Sequence, residues 1–79
     1  SGALSFAVEL PAAGAAELDV FDLSGRRGAR LGRDGLAAGR HALAWDGRGT
    51  DGRPVAPGVY LARLRAGGLS AAARFVRVR

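Results

Sequence analysis

From Trp45 to Tyr60 the chain reads Trp-Asp-Gly-Arg-Gly-Thr-Asp-Gly-Arg-Pro-Val-Ala-Pro-Gly-Val-Tyr, with four glycines, two prolines and two aspartates between its aromatic ends. No helix runs through such a segment. Proline lacks the backbone donor a helix needs, and glycine loses the most conformational entropy on being fixed there. A strand that ends at Trp45 must turn here and return as a strand beginning near Tyr60. The segment therefore reads as a corner of a small all-β domain.

The flanking sequence keeps to a period of two. Leu4, Phe6, Val8 and Leu10 alternate with Ser5, Ala7 and Glu9, which is a half-buried strand stopped by Pro11. Residues 12–16 follow a proline, contain Gly14 and read as a connection. From Glu17 to Leu23, Leu18 and Val20 share one face while Asp19, Phe21 and Leu23 share the other, the pattern of a central strand. Ser24-Gly25 is a turn signal, with Asp22 placed to accept from local amides and Gly25 able to take positive φ. A third strand is expected over residues 26–31, broken by Arg33-Asp34-Gly35.

Gly39 precedes a fourth strand, Arg40 to Trp45, with His41, Leu43 and Trp45 on one side. Arg53-Pro54-Val55 is at most a short edge strand, because Pro54 cannot donate to a ladder. Val59 to Ala66 and Leu69 to Val78 should pair across Gly67-Gly68, a two-glycine hairpin turn. In the last strand Leu69, Ala71, Ala73 and Phe75 share one parity while Val76 and Val78 take the other, so a bulge is expected between Ala73 and Val76. About seven antiparallel strands at intervals of about 8–12 residues favour a two-sheet sandwich of immunoglobulin-like or fibronectin III-like kind.

Seventy-nine residues make one domain, residues 1–79, near the lower size limit for a self-sufficient core. Much of the apolar fraction is alanine, which buries little area at ~25 cal/mol per Å². Such a core gains from a neighbouring domain or from self-association. With no cysteine, disulfides and thiolate metal sites are excluded. The net charge of +5 comes from arginines spread along the chain, which reads as a solvated surface. No aromatic row interleaves with a basic face, so nucleic acid is not an expected partner. No apolar run approaches the ~20 residues of a helical membrane span. No signal peptide precedes Ser1, which reads as a mature or excised domain.

Several motifs are weighed against plainer readings. Gly47-Arg48-Gly49-Thr50-Asp51-Gly52 matches G-x-G-x-x-G, but Arg53-Pro54-Val55-Ala56-Pro57 follows and no helix starts there to meet a pyrophosphate. Asp46, Thr50 and Asp51 offer too few oxygens for calcium, which takes about six to eight. The simpler role for Asp46 and Asp51 is to accept from loop amides. Trp45 alternates with Leu43 and reads as core, its N–H bonded to a nearby carbonyl. Tyr60 is read either as a tyrosine corner, its hydroxyl tying down a connection, or as plain core packing. His41 is the single histidine, so no histidine metal cluster forms, and no nucleophile elbow surrounds Ser24. No catalytic, cofactor-binding or metal residues are nominated.

Leu18-Asp19-Val20-Phe21-Asp22-Leu23-Ser24-Gly25-Arg26-Arg27 resembles the "valine–aromatic–Asp–x–x–Gly–Arg" hairpin of one bacterial family. Its companions follow in order: Ala38-Gly39-Arg40-His41, Trp45-Asp46-Gly47, Asp51-Gly52-Arg53-Pro54-Val55 and Pro57-Gly58-Val59-Tyr60. A basic, apolar final strand completes the set. Together they resemble the FlgD-type immunoglobulin-like domain, that of the flagellar hook-capping protein and of related C-terminal modules on secreted bacterial proteins. The likeness spans residues 6–78, and its signature is carried by Gly25, Trp45, Asp46, Gly47, Asp51, Gly52, Pro57, Gly58 and Tyr60. Sorting-type members often carry lysines on the last strand, where this chain has Arg74, Arg77 and Arg79.

The resemblance implies a scaffold and no chemistry. It points to a non-catalytic, secreted or cell-surface accessory module that serves sorting, attachment or domain spacing. The alternative is a structural subunit of an extracellular appendage, assembling through strand edges into a homo-oligomer or filament. The expected partners are proteins: neighbouring domains of the same parent, export or surface machinery, or copies of the chain. The expected interaction edge is the final strand, with Leu69, Ala71, Ala73, Arg74, Arg77 and Arg79, because alanines let another strand approach closely and an unpaired edge is a template.

Overall fold

The runs of alternating side chains become six strands: β1 (Leu4–Leu10), β2 (Gly14–Asp22), β3 (Arg27–Leu36), β4 (Gly39–Trp45), β5 (Gly58–Ala66) and β6 (Leu69–Arg77). The structure is a computed structural model and describes residues 3–78, among which there is no helix. All pairings are antiparallel. β1 and β4 form a two-stranded sheet, and β3-β2-β5-β6 form a four-stranded one. The two sheets close over a shared core as an immunoglobulin-like β-sandwich.

Alternation decides which side chains meet between the layers. Val8, Leu18, Leu43 and Ala62 form one buried group, and Val20, Ala29, Trp45 and Tyr60 form the other. Phe6, Leu31 and Phe75 touch both groups and so weld them together. Phe75 stands edge-on to Phe6 and to Trp45 and stacks on Tyr60, with centroids 5.4, 6.1 and 5.8 Å apart. Aromatic pairs at such separations add to the value of their buried area. β2 is central in its sheet, paired with β3 on one side and β5 on the other, and carries apolar side chains on both faces.

The hairpin across Gly67-Gly68 forms as expected, with Ala66 opposite Leu69. Both glycines have positive φ, +55° and +86°, the backbone of a turn that matches the strand twist.

Four details differ from the sequence expectation. β2 begins already at Gly14, in what reads as a connection. A register shift between Gly14 and Ala16 lets Ala16 drop into the core at 1% exposure. β3 continues past Leu31 to Leu36, since that extension of β2 supplies it with a partner and Gly14 lies opposite Leu36. Gly35 crosses the expected break with φ +67°. The bulge expected in the last strand is absent: the β5–β6 register runs unbroken from Gly58–Arg77 to Ala66–Leu69. Continuous pairing prevails over valine burial, and Val76 and Val78 stay 61% and 71% exposed. The seventh strand shrinks to a single bridge between Arg48 and Pro54, because Pro54 has no N–H to extend it.

Candidate interaction surfaces

The corner loop is built on its own backbone. Trp45 is buried at 1% exposure, and its Nε1 donates to the Arg48 carbonyl at 2.9 Å. Asp46 Oδ1 accepts from the Arg48 amide at 3.0 Å, and Asp51 Oδ1 from the Arg53 amide at 2.9 Å. Val55 N donates to Gly47 O, Gly49 N to Arg53 O and Gly52 N to Gly49 O. The Arg48, Gly49 and Gly52 amides of the G-x-G-x-x-G stretch are thus turned onto the loop itself, which is the reverse of a phosphate cradle. Thr50 N donates to Gly28 O at 3.0 Å, docking the loop on β3. That approach is close enough that a Cβ at Gly49 would lie 2.9 Å from the Gly28 carbonyl oxygen.

After the loop, Pro57 leads into β5 at Gly58. The Tyr60 hydroxyl then reaches back to the Ala56 carbonyl at 2.5 Å, the geometry of a tyrosine corner. At the β2–β3 turn, Asp22 Oδ1 accepts from the Ser24 hydroxyl at 2.6 Å and from the Ser24 and Arg26 amides. Those bonds, that from the Ser24 hydroxyl foremost, hold the Asp22 carboxyl below its ordinary range. Gly25 takes positive φ in this turn, as do Gly47 and Gly52 in the corner loop.

β6 is the edge of the larger sheet, paired with β5 on one side. Leu69, Ala71, Ala73 and Arg74 are exposed there. Ala71 and Ala73 lie opposite Leu64 and Ala62, so they face the inner side of the sheet at a place the smaller sheet does not cover. Arg77 is different: it is half-buried and its guanidinium lies 5.5 Å from the Trp45 ring centroid. It roofs the core instead of decorating the edge. Arg79 lies outside the described residues.

Sequence reasoning missed the most charged feature of the sheet. Asp19, in the middle of β2, is fully buried. Its Oδ1 accepts from Arg30 Nε at 2.8 Å, and its Oδ2 accepts from Arg63 and Arg65 at 3.4 and 3.3 Å. Arg27 lies 3.8 Å away, and Arg65 also donates to Glu17 at 2.7 Å. The arginine side chains, themselves about two-fifths exposed, are the cover that removes Asp19 from water. Burial pushes the carboxyl up, but the Arg30 hydrogen bond and charge, with help from Arg63 and Arg65, outweigh it and hold Asp19 below its ordinary value. The signal was present in the sequence as an acid on the outward face of a central strand. It becomes readable once Asp19 is known to lie opposite Arg30 on one side and Arg63 on the other.

The groups with catalytic potential are engaged locally. His41 Nε2 is 2.7 Å from the Ala37 carbonyl oxygen, and the Ser24 hydroxyl is bonded to Asp22. Among the described residues, no group of three or more His, Cys, Asp or Glu side chains is placed to hold a metal ion. No helix among them is long and apolar enough to cross a membrane.

Comparison with known proteins agrees with the architecture. The FlgD of Xanthomonas campestris, described in terms of hook capping essential for flagellar assembly, superposes with a TM-score of 0.75 at 26% identity. The match covers 95% of this chain and 57% of that one. FlgD from P. aeruginosa shares the fold, with a TM-score of 0.72 at 23% identity over 95% of this chain and 59% of that one. The chain therefore spans less than two-thirds of the length of either protein. No functionally curated protein matches it. The family model of the FlgD Ig-like domain matches residues 1–69, and the chain belongs to that family.

Proposed function

We propose that the chain is a non-catalytic structural module of an exported hook-cap-type assembly, holding or joining protein subunits through the edges of its sheets. The observation that carries this reading is β6: a nine-residue edge with exposed alanines, attached to a scaffold of the FlgD Ig-like family. Its unpaired backbone groups can accept another strand, and its small side chains let one approach. Contacts between an edge on one copy and a different surface on the next give rings where the rotation between copies closes and open arrays where it does not. The likeness to the Xanthomonas campestris protein supports this appendage role ahead of the C-terminal sorting role. It also favours an extracellular location and protein partners.

A domain exchange tests the reading. Residues 3–78 replace the Ig-like domain of the Xanthomonas campestris FlgD, and flagella are counted by electron microscopy. Flagella on cells carrying the chimera are the expected result. A chimera that is stable and exported yet leaves cells without hooks or filaments would sink the proposal.

A further inference from the structure

The outer face of the four-stranded sheet is divided into a charged half and an apolar half. Strand register places Glu17 and Asp19 of β2, Arg30 of β3, and Arg63 and Arg65 of β5 on the charged half. Phe21, Leu61 and Val76 lie beyond them, joined by Arg74 opposite Leu61. Leu61 and Val76 are 40% and 61% exposed, and the Arg63 guanidinium sits 5.0 Å from the Phe21 ring centroid. A shallow cavity of about 430 Å³ opens here, lined by Phe21, Asp22, Leu23, Leu61, Arg63 and Arg74 among others, with the Asp22 carboxylate engaged by Ser24 and the Arg26 amide.

We infer that this face is a docking surface for an acidic, leucine- or valine-bearing segment of another protein. Its carboxylates would lie on the arginines and an aliphatic side chain would rest in the notch between Phe21 and Leu61. Arginines outnumber acids on this face, and each guanidinium carries five donors in a planar fork. Asp19 and Glu17 engage only some of those donors, while fixing the forks in place. Pre-positioned arginines beside an apolar notch suit carboxylate recognition, because less side-chain freedom remains to be lost on binding. Charge complementarity chooses the partner for this face: the same arginine-rich face of a second copy would be repelled from it, and an acidic segment attracted. A single aromatic, Phe21, among aliphatic and arginine side chains does not make the stacking row that single-stranded nucleic acid uses.

The inference rests on the scaffold reading only in taking the partner to be a protein. Binding is measured on the 79-residue chain by fluorescence anisotropy, using a labelled peptide of alternating Glu and Leu. A Gln/Leu peptide and an oligothymidylate serve as comparators. The Glu/Leu peptide should bind at least about tenfold more tightly than either, and about 0.5 M salt should weaken it sharply. Arg74 is outside the Asp19 cluster, so Arg74→Glu should cost about tenfold in affinity with unchanged circular dichroism. Leu61→Ser should weaken binding as well, and amide shifts on titration should centre on Phe21, Leu61 and Arg74. Absent binding, equal binding of the Gln/Leu peptide, tighter binding of the oligothymidylate, or indifference to Arg74→Glu would each overturn the inference. A chimera that restores flagella while the Glu/Leu peptide fails to bind removes this surface and leaves the scaffold reading intact.

Discussion

Phe75 and Phe6 belong to different sheets, and their rings meet edge to face with centroids 5.4 Å apart. This contact and that of Phe75 with Trp45 tie an edge strand of the larger sheet to the smaller one, and Phe75 also stacks on Tyr60 of the neighbouring strand in its own sheet. Phe75→Ala removes the hub of the aromatic group and should destabilise the fold by about 3 kcal/mol, whereas Phe75→Leu should cost about half as much. Urea denaturation followed by Trp45 fluorescence measures both, and equal stabilities for the two variants would contradict the packing described.

Asp19 is the acid on which the arginine side chains converge. Asp19→Asn keeps the shape but removes the charge, leaving those guanidiniums facing one another. A loss of about 2–4 kcal/mol is expected. The same group gives the protein its acid limb. The folded carboxyl titrates below the value near 3.8 of the unfolded chain, so its stabilising contribution is complete above that value and declines as pH falls toward the folded pKa. Asp22, also lowered, acts in the same direction. Thermal melts from about pH 6 to pH 3 should show the parent losing more stability than Asp19→Asn, and parallel curves would contradict the assignment.

Gly49 marks the point where the corner loop touches β3. Gly49→Ala pushes a methyl group against the Gly28 carbonyl oxygen, and backbone cannot swing aside as a long side chain does. The expected cost is about 1–3 kcal/mol. Gly32→Ala is the control, since a Cβ there meets nothing within 4 Å and should change stability by less than about 0.5 kcal/mol. Similar melting temperatures for the two variants would show that the loop does not press on the sheet.

The Tyr60 hydroxyl holds the carbonyl of Ala56. Tyr60→Phe keeps the ring in the core and frees that carbonyl, at a cost of about 1 kcal/mol. In a chain of this size the melting temperature should fall by about 4–8 °C. Hydrogen exchange should quicken at the amides of Ala56 and Gly58 while β2 stays protected.

Much of this was legible from local pattern. Leu43 and Trp45 declare a buried face by alternation, and Gly67-Gly68 declares its turn by residue type, because both depend on neighbours in sequence. The arginine cluster on Asp19 depends on which strands flank β2. Those partners lie 11, 44 and 46 residues away, beyond the reach of a periodicity argument. The misplaced start of β2 has a similar cause: Gly14 is held in a strand by Leu36, a partner invisible in the residues around it. The expected bulge failed for a different reason. It assumed that Val76 and Val78 must join Phe75 on the inner face, whereas unbroken pairing with β5 keeps the strict alternation and leaves Val76 on the outer face, turned away from the smaller sheet.

In the smaller sheet, Leu4 lies opposite Trp45 and Leu10 opposite Gly39, so two whole strands intervene before β1 meets its mate. The β2–β3 and β5–β6 hairpins close between sequence neighbours, while β1 needs a long loop to be drawn in first. On a ribosome, Leu4, Phe6, Val8 and Leu10 leave the tunnel early and remain without cover until Trp45 has followed. The opening strand, whose greasy row emerges first and waits for a mate two strands further on, therefore adds to the risk of clumping during synthesis.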